Sequence, residues 1–181
     1  MRQFRALTFG LLTLSACGST SGGSVNGIVA GYSLHVVETV FLTLPESEEN
    51  PAFTLIAFAD RHGLCTGIQT GAWGKNTTSL WIDLEPSPPS PGTYSVAVGL
   101  PADQPRHAMA VFVKQDDRCN LAPGLSNSVP GTSGSVTLDS IQLSGRAKGT
   151  FDMNMSGDQL TGTFDAAYCE YPSSPRMTTC R

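Results

Sequence analysis

The chain has 181 residues, of which 11 are basic and 15 acidic, so its formal net charge at pH 7 is −4. Charged residues make up only 14% of the chain, and the 19 glycines and 12 prolines are typical of a turn-rich β protein. The acidic balance argues against nucleic acid as a partner, because such binding depends on cationic side chains that contact phosphates. It also argues against electrostatic docking onto anionic lipid headgroups.

The first 16 residues have the three parts of an export signal. Arg2 and Arg5 form a positive start, Ala6–Leu14 is mainly apolar, and Ser15-Ala16 supplies two small residues. The apolar run is too short for a membrane-spanning helix, which needs about 20 residues, and no later segment approaches that length. Residues 1–16 are therefore expected to be removed. The mature chain then keeps 11 − 2 = 9 basic residues against 15 acidic ones, a net charge of −6.

The junction Leu14-Ser15-Ala16-Cys17 resembles the lipobox of bacterial lipoproteins, in which leucine and two small residues precede an acylated cysteine. The resemblance implies cleavage after Ala16 and attachment of acyl chains such as palmitate to Cys17. Two or three chains hold a protein firmly, since each buried methylene contributes ~0.8 kcal/mol. Gly18 stands where an aspartate retains such proteins at the inner membrane, so we expect the outer membrane, on its periplasmic or surface face. The alternative is an ordinary secretory signal with an incidental cysteine.

Behind the signal, the sequence predicts two further parts. Residues 17–26 are expected to form the lipidated cysteine and an uncharged, flexible tether. Nine residues of this composition have an r.m.s. reach of roughly 15–18 Å. Residues 27–181 are long enough for one self-sufficient domain, which we expect to be a single β domain.

Four cysteines remain in the mature domain, namely Cys65, Cys119, Cys169 and Cys180. An even number in an oxidising compartment favours disulfides, and three pairings are open. We favour Cys65–Cys119 and Cys169–Cys180, because the second pair would staple the proline-rich tail to the last strand. A zinc site is the alternative, but the sequence holds no C-x-x-C pair.

Short apolar runs between turn residues predict strands. The mature sequence contains no apolar stripe with the 3.6-residue period of a helix, so no helix is predicted. Leu34, Val36, Val40, Leu42 and Leu44 would share one face of the first strand, and a change of parity predicts a bulge at Asp139-Ser140. The expected strand segments are Tyr32–Leu44, Phe53–Ala59, Ser79–Leu84, Thr93–Leu100, Ala108–Lys114, Ser135–Leu143 and a C-terminal hairpin over 147–168.

The hairpin carries a repeated motif, Gly149-Thr150-Phe151-Asp152 and Gly162-Thr163-Phe164-Asp165. A turn at Gly157-Asp158 would place Phe151 opposite Phe164, with every apolar residue and glycine on one face. About eight such strands favour an all-β, antiparallel β-sandwich, with a closed β-barrel as the alternative. Together with the lipobox and the cysteines, this hairpin resembles small β-rich envelope lipoproteins of unknown function in Gram-negative bacteria, a resemblance that implies no activity.

Catalytic motifs are absent from the sequence: there is no G-x-S-x-G, no H-E-x-x-H, no P-loop and no dinucleotide fingerprint, so we expect no cofactor and no metal. The leading hypothesis is a non-enzymatic envelope module that binds a partner protein or glycan or has a structural role. Trp73 and Trp81 are its candidate contact residues. A ligand-binding barrel is the second hypothesis, and a hydrolase that uses Asp60, His62 and Asp116 is the third.

Overall fold

Eleven strands and one short helix make up the part of the chain that the computed structural model describes, residues 21–44, 46, 52–99, 105–120, 128–171 and 179–180, with backbone alone at 73, 179 and 180. The signal, the lipobox and Cys17 lie outside the described residues. No helix in this part is long and apolar enough to span a membrane. The elements are β1 (Gly22–Asn26), β2 (Glu38–Leu44), β3 (Phe53–Ala59), α1 (Leu64–Thr70), β4 (Ala72–Trp73), β5 (Thr78–Glu85), β6 (Gly92–Val96), β7 (His107–Lys114), β8 (Val129–Ile141), β9 (Arg146–Met155), β10 (Asp158–Tyr168) and β11 (Thr179–Cys180).

Strand β10 closes the sheet on itself. One of its edges pairs with β9, and the other pairs with β1 and, in parallel, with β2. From β2 the ladder continues through β3, β5, β7, β6 and β8 to β9, so eight strands form a closed β-barrel. The fold is all-β as predicted, but the sandwich is wrong and the barrel alternative is correct. The prolines do not divide the strands into two sheets, because four of them lie in the connection 86–91 between β5 and β6.

Large apolar side chains fill the barrel interior. Phe58 is fully buried in this interior, with the rings of Phe151 and Phe164 edge-on to it at 5.6 and 6.4 Å. The largest inward side chains are at most 4% exposed: Phe41, Ile56, Phe58, Leu80, Ile82, Leu84, Tyr94, Phe112, Leu138, Phe151, Met153, Met155, Leu160 and Phe164.

A second apolar cluster lies outside the barrel wall, between β2, β3, α1 and the residue that follows β10. Val40 and Leu42, which the sequence places on one face of the first strand, point into this outer cluster, while Phe41 points into the barrel. Strand β2 begins only at Glu38, so Leu34 does not extend its stripe. Strand β2 is therefore covered on both faces, by the barrel interior on one side and by the outer cluster on the other.

The hairpin of β9 and β10 keeps its predicted faces but not its predicted pairing. The turn lies at Ser156-Gly157, where φ is 53° and 97°, and not at Gly157-Asp158. Two residues with positive φ are typical of the turns that join twisted strands directly. The pairing is therefore shifted by two, and Phe151 lies opposite Gly162 instead of Phe164. A shift of two leaves every side chain on its predicted face.

Two glycine–phenylalanine pairs explain the repeated motif. The ring of Phe151 occupies the space that a side chain at Gly162 would fill, and the ring of Phe164 does the same at Gly149. The bulge predicted at Asp139-Ser140 is also present, as a register shift between Leu138 and Ser140.

One disulfide of the described residues joins Cys65 in α1 to Cys169, 104 positions later. The predicted pairs Cys65–Cys119 and Cys169–Cys180 are therefore wrong, although Cys119 is disulfide-bonded as well. The Cys169 amide donates to the Phe41 carbonyl at 2.7 Å, continuing the ladder between β10 and β2. This pairing brings Cys169 to the outer wall on which α1 packs.

Strand β1 uses residues that the sequence assigns to the tether. Gly22–Asn26 pairs with β10 from Asp165 to Thr161. Its Gly23 is close to the barrel wall, since an added Cβ would lie 2.8 Å from Thr39 Oγ1. Only residues 18–21 therefore separate Cys17 from the first strand.

The glycines under the phenylalanine rings generate a test. We expect Gly149→Ala and Gly162→Ala each to lower the free energy of unfolding by about 1–3 kcal/mol, because the new methyl group collides with a ring and a backbone carbonyl. Urea unfolding measures the change. Gly22→Ala is the matched control, since nothing lies within 4 Å of its Cβ position. Variants at 149 and 162 as stable as this control would contradict the packing.

The disulfide generates a second test. A Cys65→Ser, Cys169→Ser double variant should lose on the order of 4 kcal/mol of unfolding free energy, because the bond closes a long loop of the unfolded chain. Urea unfolding of oxidised wild type and of the variant, both without reductant, measures this loss. Non-reducing peptide mapping supplies the control, and a peptide that links Cys65 to Cys119 would reject the pairing.

Candidate functional site

A cleft of about 200 Å³ opens beside α1, on the outside of the barrel. It lies between the end of β3, the loop 60–63, one side of α1 and the chain that connects α1 to β5. We call it the α1 cleft. Its lining residues are Ala59, Arg61, His62, Gly63, Leu64, Gly67, Ala72, Gly74 and Thr77.

Glycines set the walls of the α1 cleft. Gly63 (φ 87°) and Gly71 (φ 66°) precede and follow the helix in the left-handed conformation that glycine adopts without cost. Gly67 faces the strand that follows, where an added Cβ would lie 2.8 Å from the Ala72 carbonyl oxygen. The helix can therefore pack closely against β4, and this close approach forms one side of the cleft.

The start of the helix is held from β2 by a carboxylate. Glu38 Oε2 accepts the N–H of Gly63 at 2.6 Å and that of Leu64 at 3.2 Å, and Oε1 accepts from Cys65 at 3.4 Å. The disulfide from Cys65 to Cys169 fixes the same turn to the end of β10. Two independent attachments thus hold this wall of the cleft in place.

Arg61 brings a positive charge to the cleft. Its guanidinium packs over Gly74, where an added Cβ would lie 2.5 Å from Nη1. Its Nε lies 3.9 Å from Asp60 Oδ1, and both atoms are buried without a hydrogen bond. The other Asp60 oxygen accepts the Thr78 N–H at 3.0 Å and lies 4.0 Å from Lys114 Nζ. Asp60 is thus directed mainly towards β5 and β7, and its pairing with Arg61 is weak.

The three residues of the hydrolase hypothesis do not meet in the cleft. His62 lines it and is exposed, whereas Asp60 and Asp116 do not line it. Asp116 closes its own turn by accepting the N–H groups of Arg118 and Asn120, both at 2.8 Å. These bonds, the one from Arg118 foremost, hold the pKa of Asp116 below its usual range. Within the described residues, no three His, Cys, Asp or Glu side chains converge as a metal site would require.

The two tryptophans differ in what can be said of them. Trp81 lies on the outer side of β5, donates its Nε1–H to Ser79 Oγ at 2.9 Å and packs against the outer cluster. The backbone of Trp73 pairs with β11, and its side chain lies outside the described residues. A binding role for either tryptophan stays a prediction.

Sequence patterns could locate only part of this site. They single out the polar loop that contains Asp60 and His62, but not Arg61 as the cation of a cleft or the walls around it. The signal that was present is the pair Gly63 and Gly71, which bracket seven residues as helix-terminating glycines do. Glu38, which caps the helix, lies 25 residues away and has no local signature.

A second polar group lies on the outer face of β5 and β7. Glu85 Oε2 is 3.0 Å from His107 Nε2, and both side chains are largely buried. Two residues before Glu85, the Asp83 carboxyl has a buried Oδ1 without a hydrogen bond. Burial, and to a lesser extent the charge of Glu85, raise the pKa of Asp83 to about 6. Asp83 therefore binds a proton more tightly in the folded chain than in the unfolded chain.

The raised pKa of Asp83 predicts that the free energy of unfolding depends on pH. Between about pH 4 and pH 6 the folded state holds the proton that the unfolded state releases, so stability falls as the pH rises through this window. Asp83→Asn should raise the free energy of unfolding by roughly 2–3 kcal/mol above this window and have little effect below it. Urea unfolding across this range measures the difference. Asp139→Asn, at an exposed position, is the control, and equal pH profiles for the two variants would contradict the prediction.

Similarity to other proteins does not identify the α1 cleft or the barrel. No protein-family model, no curated protein and no solved structure matches the chain significantly. The function of the molecule therefore has to follow from the geometry and chemistry of its own residues.

Proposed function

We propose that the protein is a lipid-anchored module of the bacterial envelope that binds a partner on its outer surface and catalyses no reaction. The observation that carries the proposal is the filled barrel, because Phe58, Phe151, Phe164 and their neighbours occupy the interior. Binding is then left to the outside of the wall. The α1 cleft is a concave surface there, with walls held by Glu38 and a disulfide.

The place of β1 determines how far from the membrane an anchor at Cys17 would hold the barrel. Residues 18–21 span at most roughly 14 Å when fully extended. Strand β1 is attached to the barrel wall by its pairing with β10 over five residues. Acyl chains on Cys17 would therefore keep the barrel within a shorter distance of the membrane than the roughly 15–18 Å reach of a nine-residue tether. We propose the outer membrane as the location, because Gly18 stands where an aspartate would retain a lipoprotein at the inner membrane.

The alternatives receive less support from the geometry. A ligand-binding barrel needs internal space, which the inward side chains of the described strands occupy. A hydrolase needs Asp60, His62 and Asp116 around one substrate, but the carboxylates of Asp60 and Asp116 accept backbone N–H groups elsewhere.

Labelling with palmitate tests the anchor. We expect the chain, expressed in a Gram-negative host, to incorporate labelled palmitate and to fractionate with the outer membrane. Cys17→Ser should abolish the label, and inhibition of the lipoprotein signal peptidase should leave residues 1–16 attached. Mass spectrometry of the mature N-terminus reads both outcomes. A mature chain without acyl mass on Cys17 would overturn the anchor.

Native mass spectrometry separates outer-surface binding from an internal ligand. The mature protein should show the mass of the polypeptide with its acyl chains, without a small molecule that stays bound until unfolding. A further small-molecule mass that is released only on unfolding would favour the ligand-binding barrel instead. Wild type is compared with Phe58→Ala, a variant in which the truncated side chain leaves a cavity inside the barrel where a small molecule could bind.

A further inference from the structure

We propose that the α1 cleft binds small organic carboxylates, with Arg61 holding the carboxylate and the apolar wall of the cleft receiving the body of the acid. This assignment deepens the proposed function, on which it rests, by naming a ligand class for one outer surface. It uses the concave shape of the cleft, the weak pairing of Arg61 and the absence of acidic residues from the part of the lining that the structure describes.

Among the described residues that line the cleft, Arg61 is the one charged side chain, although the protein is acidic overall. Two neighbouring carboxylates accept backbone N–H groups: Glu38 accepts those at the start of α1, and one oxygen of Asp60 accepts that of Thr78. Within the described residues, the Arg61 guanidinium has one ion-pair partner, at 3.9 Å, which is too long for a hydrogen bond. A planar guanidinium with N–H groups to spare matches the two oxygens of a carboxylate.

Size and lining restrict the ligand. A cleft of about 200 Å³ is smaller than the roughly 300–1,000 Å³ pockets of drug-sized ligands, which suits a small acid such as acetate or benzoate. Ala59, Leu64 and Ala72 give the cleft an apolar wall that a fully hydrated ion does not need. A single arginine also balances the one charge of a carboxylate better than the higher charge of a phosphate.

His62 provides a second contact on the same rim. Its imidazole is exposed and lines the cleft next to Arg61. In either protonation state the ring has at least one N–H to donate. The walls need no rearrangement, because the disulfide of Cys65 and the cap from Glu38 already hold α1 in place, and a preformed site avoids an ordering cost.

Amide chemical shifts of the full chain, produced in a bacterial host and labelled with ¹⁵N, test the assignment. Titration with sodium benzoate to roughly 50 mM should shift the amides of Gly63, Gly67 and Gly74 along saturable curves. Arg61→Gln should weaken the affinity at least about tenfold, and His62→Gln by a smaller factor. Lys148→Gln removes one exposed cation from β9 and should leave the affinity unchanged. Thermal unfolding checks that each variant is folded.

Other probes decide which property of the cleft is recognised. Benzamide, the uncharged counterpart of benzoate, should bind at least about tenfold more weakly, and so should inorganic phosphate. Equal binding of benzamide or of phosphate would overturn the assignment to carboxylates. Unsaturable benzoate shifts, or an Arg61→Gln variant that binds like wild type, would overturn it too. A palmitate label on Cys17 without benzoate binding would reject the cleft alone, whereas the reverse result would reject the anchor alone.

Discussion

Closure of the barrel through β10 is the constraint on which the rest of the structure depends. This strand has a partner on each edge, so the ladder has no break at which the interior could open. A closed wall encloses a fixed volume, and that volume must be filled without voids. Three phenylalanines and two strand glycines fill part of this volume, since each phenylalanine ring of the hairpin occupies the space that a side chain at a glycine would take. A barrel packed in this way leaves recognition to its outer surface.

The outer wall has the opposite problem, because part of it is too apolar to face water. Val40 and Leu42 on β2, with Ala57 and Ala59 on β3, require a cover, which α1 and the residues after β10 provide. A seven-residue helix is too short to be stable alone, and Glu38 and a disulfide both fix its first turn. The α1 cleft is a by-product of this cover, since it lies where the helix and β4 meet the wall.

The sequence predicts those features whose causes are local. The alternation of apolar and polar residues along β9 and β10 predicted correctly which side chains share a face of the hairpin. A change in the phase of this alternation located the bulge before Ser140. Pairing failed by two positions because the turn uses Ser156, a non-glycine residue with positive φ. Helix α1 was missed because a single buried residue, Leu64, leaves no stripe. Closure could be predicted only as the alternative to a sandwich, since β10 meets β2 more than a hundred residues away in the sequence. Of the candidate site, the polar loop could be recognised in the sequence, but the concave shape of the α1 cleft could not.

The disulfide between Cys65 and Cys169 also changes the topology of the chain. It makes a covalent ring of the residues between them, which contains six of the eight barrel strands, β5 to β10, while β2 and β3 lie outside it. A protease that cuts one peptide bond inside this ring cannot release a fragment, because the two pieces remain joined through sulfur. In a compartment that contains secreted peptidases, the nicked protein would keep its strands together and could close the barrel again.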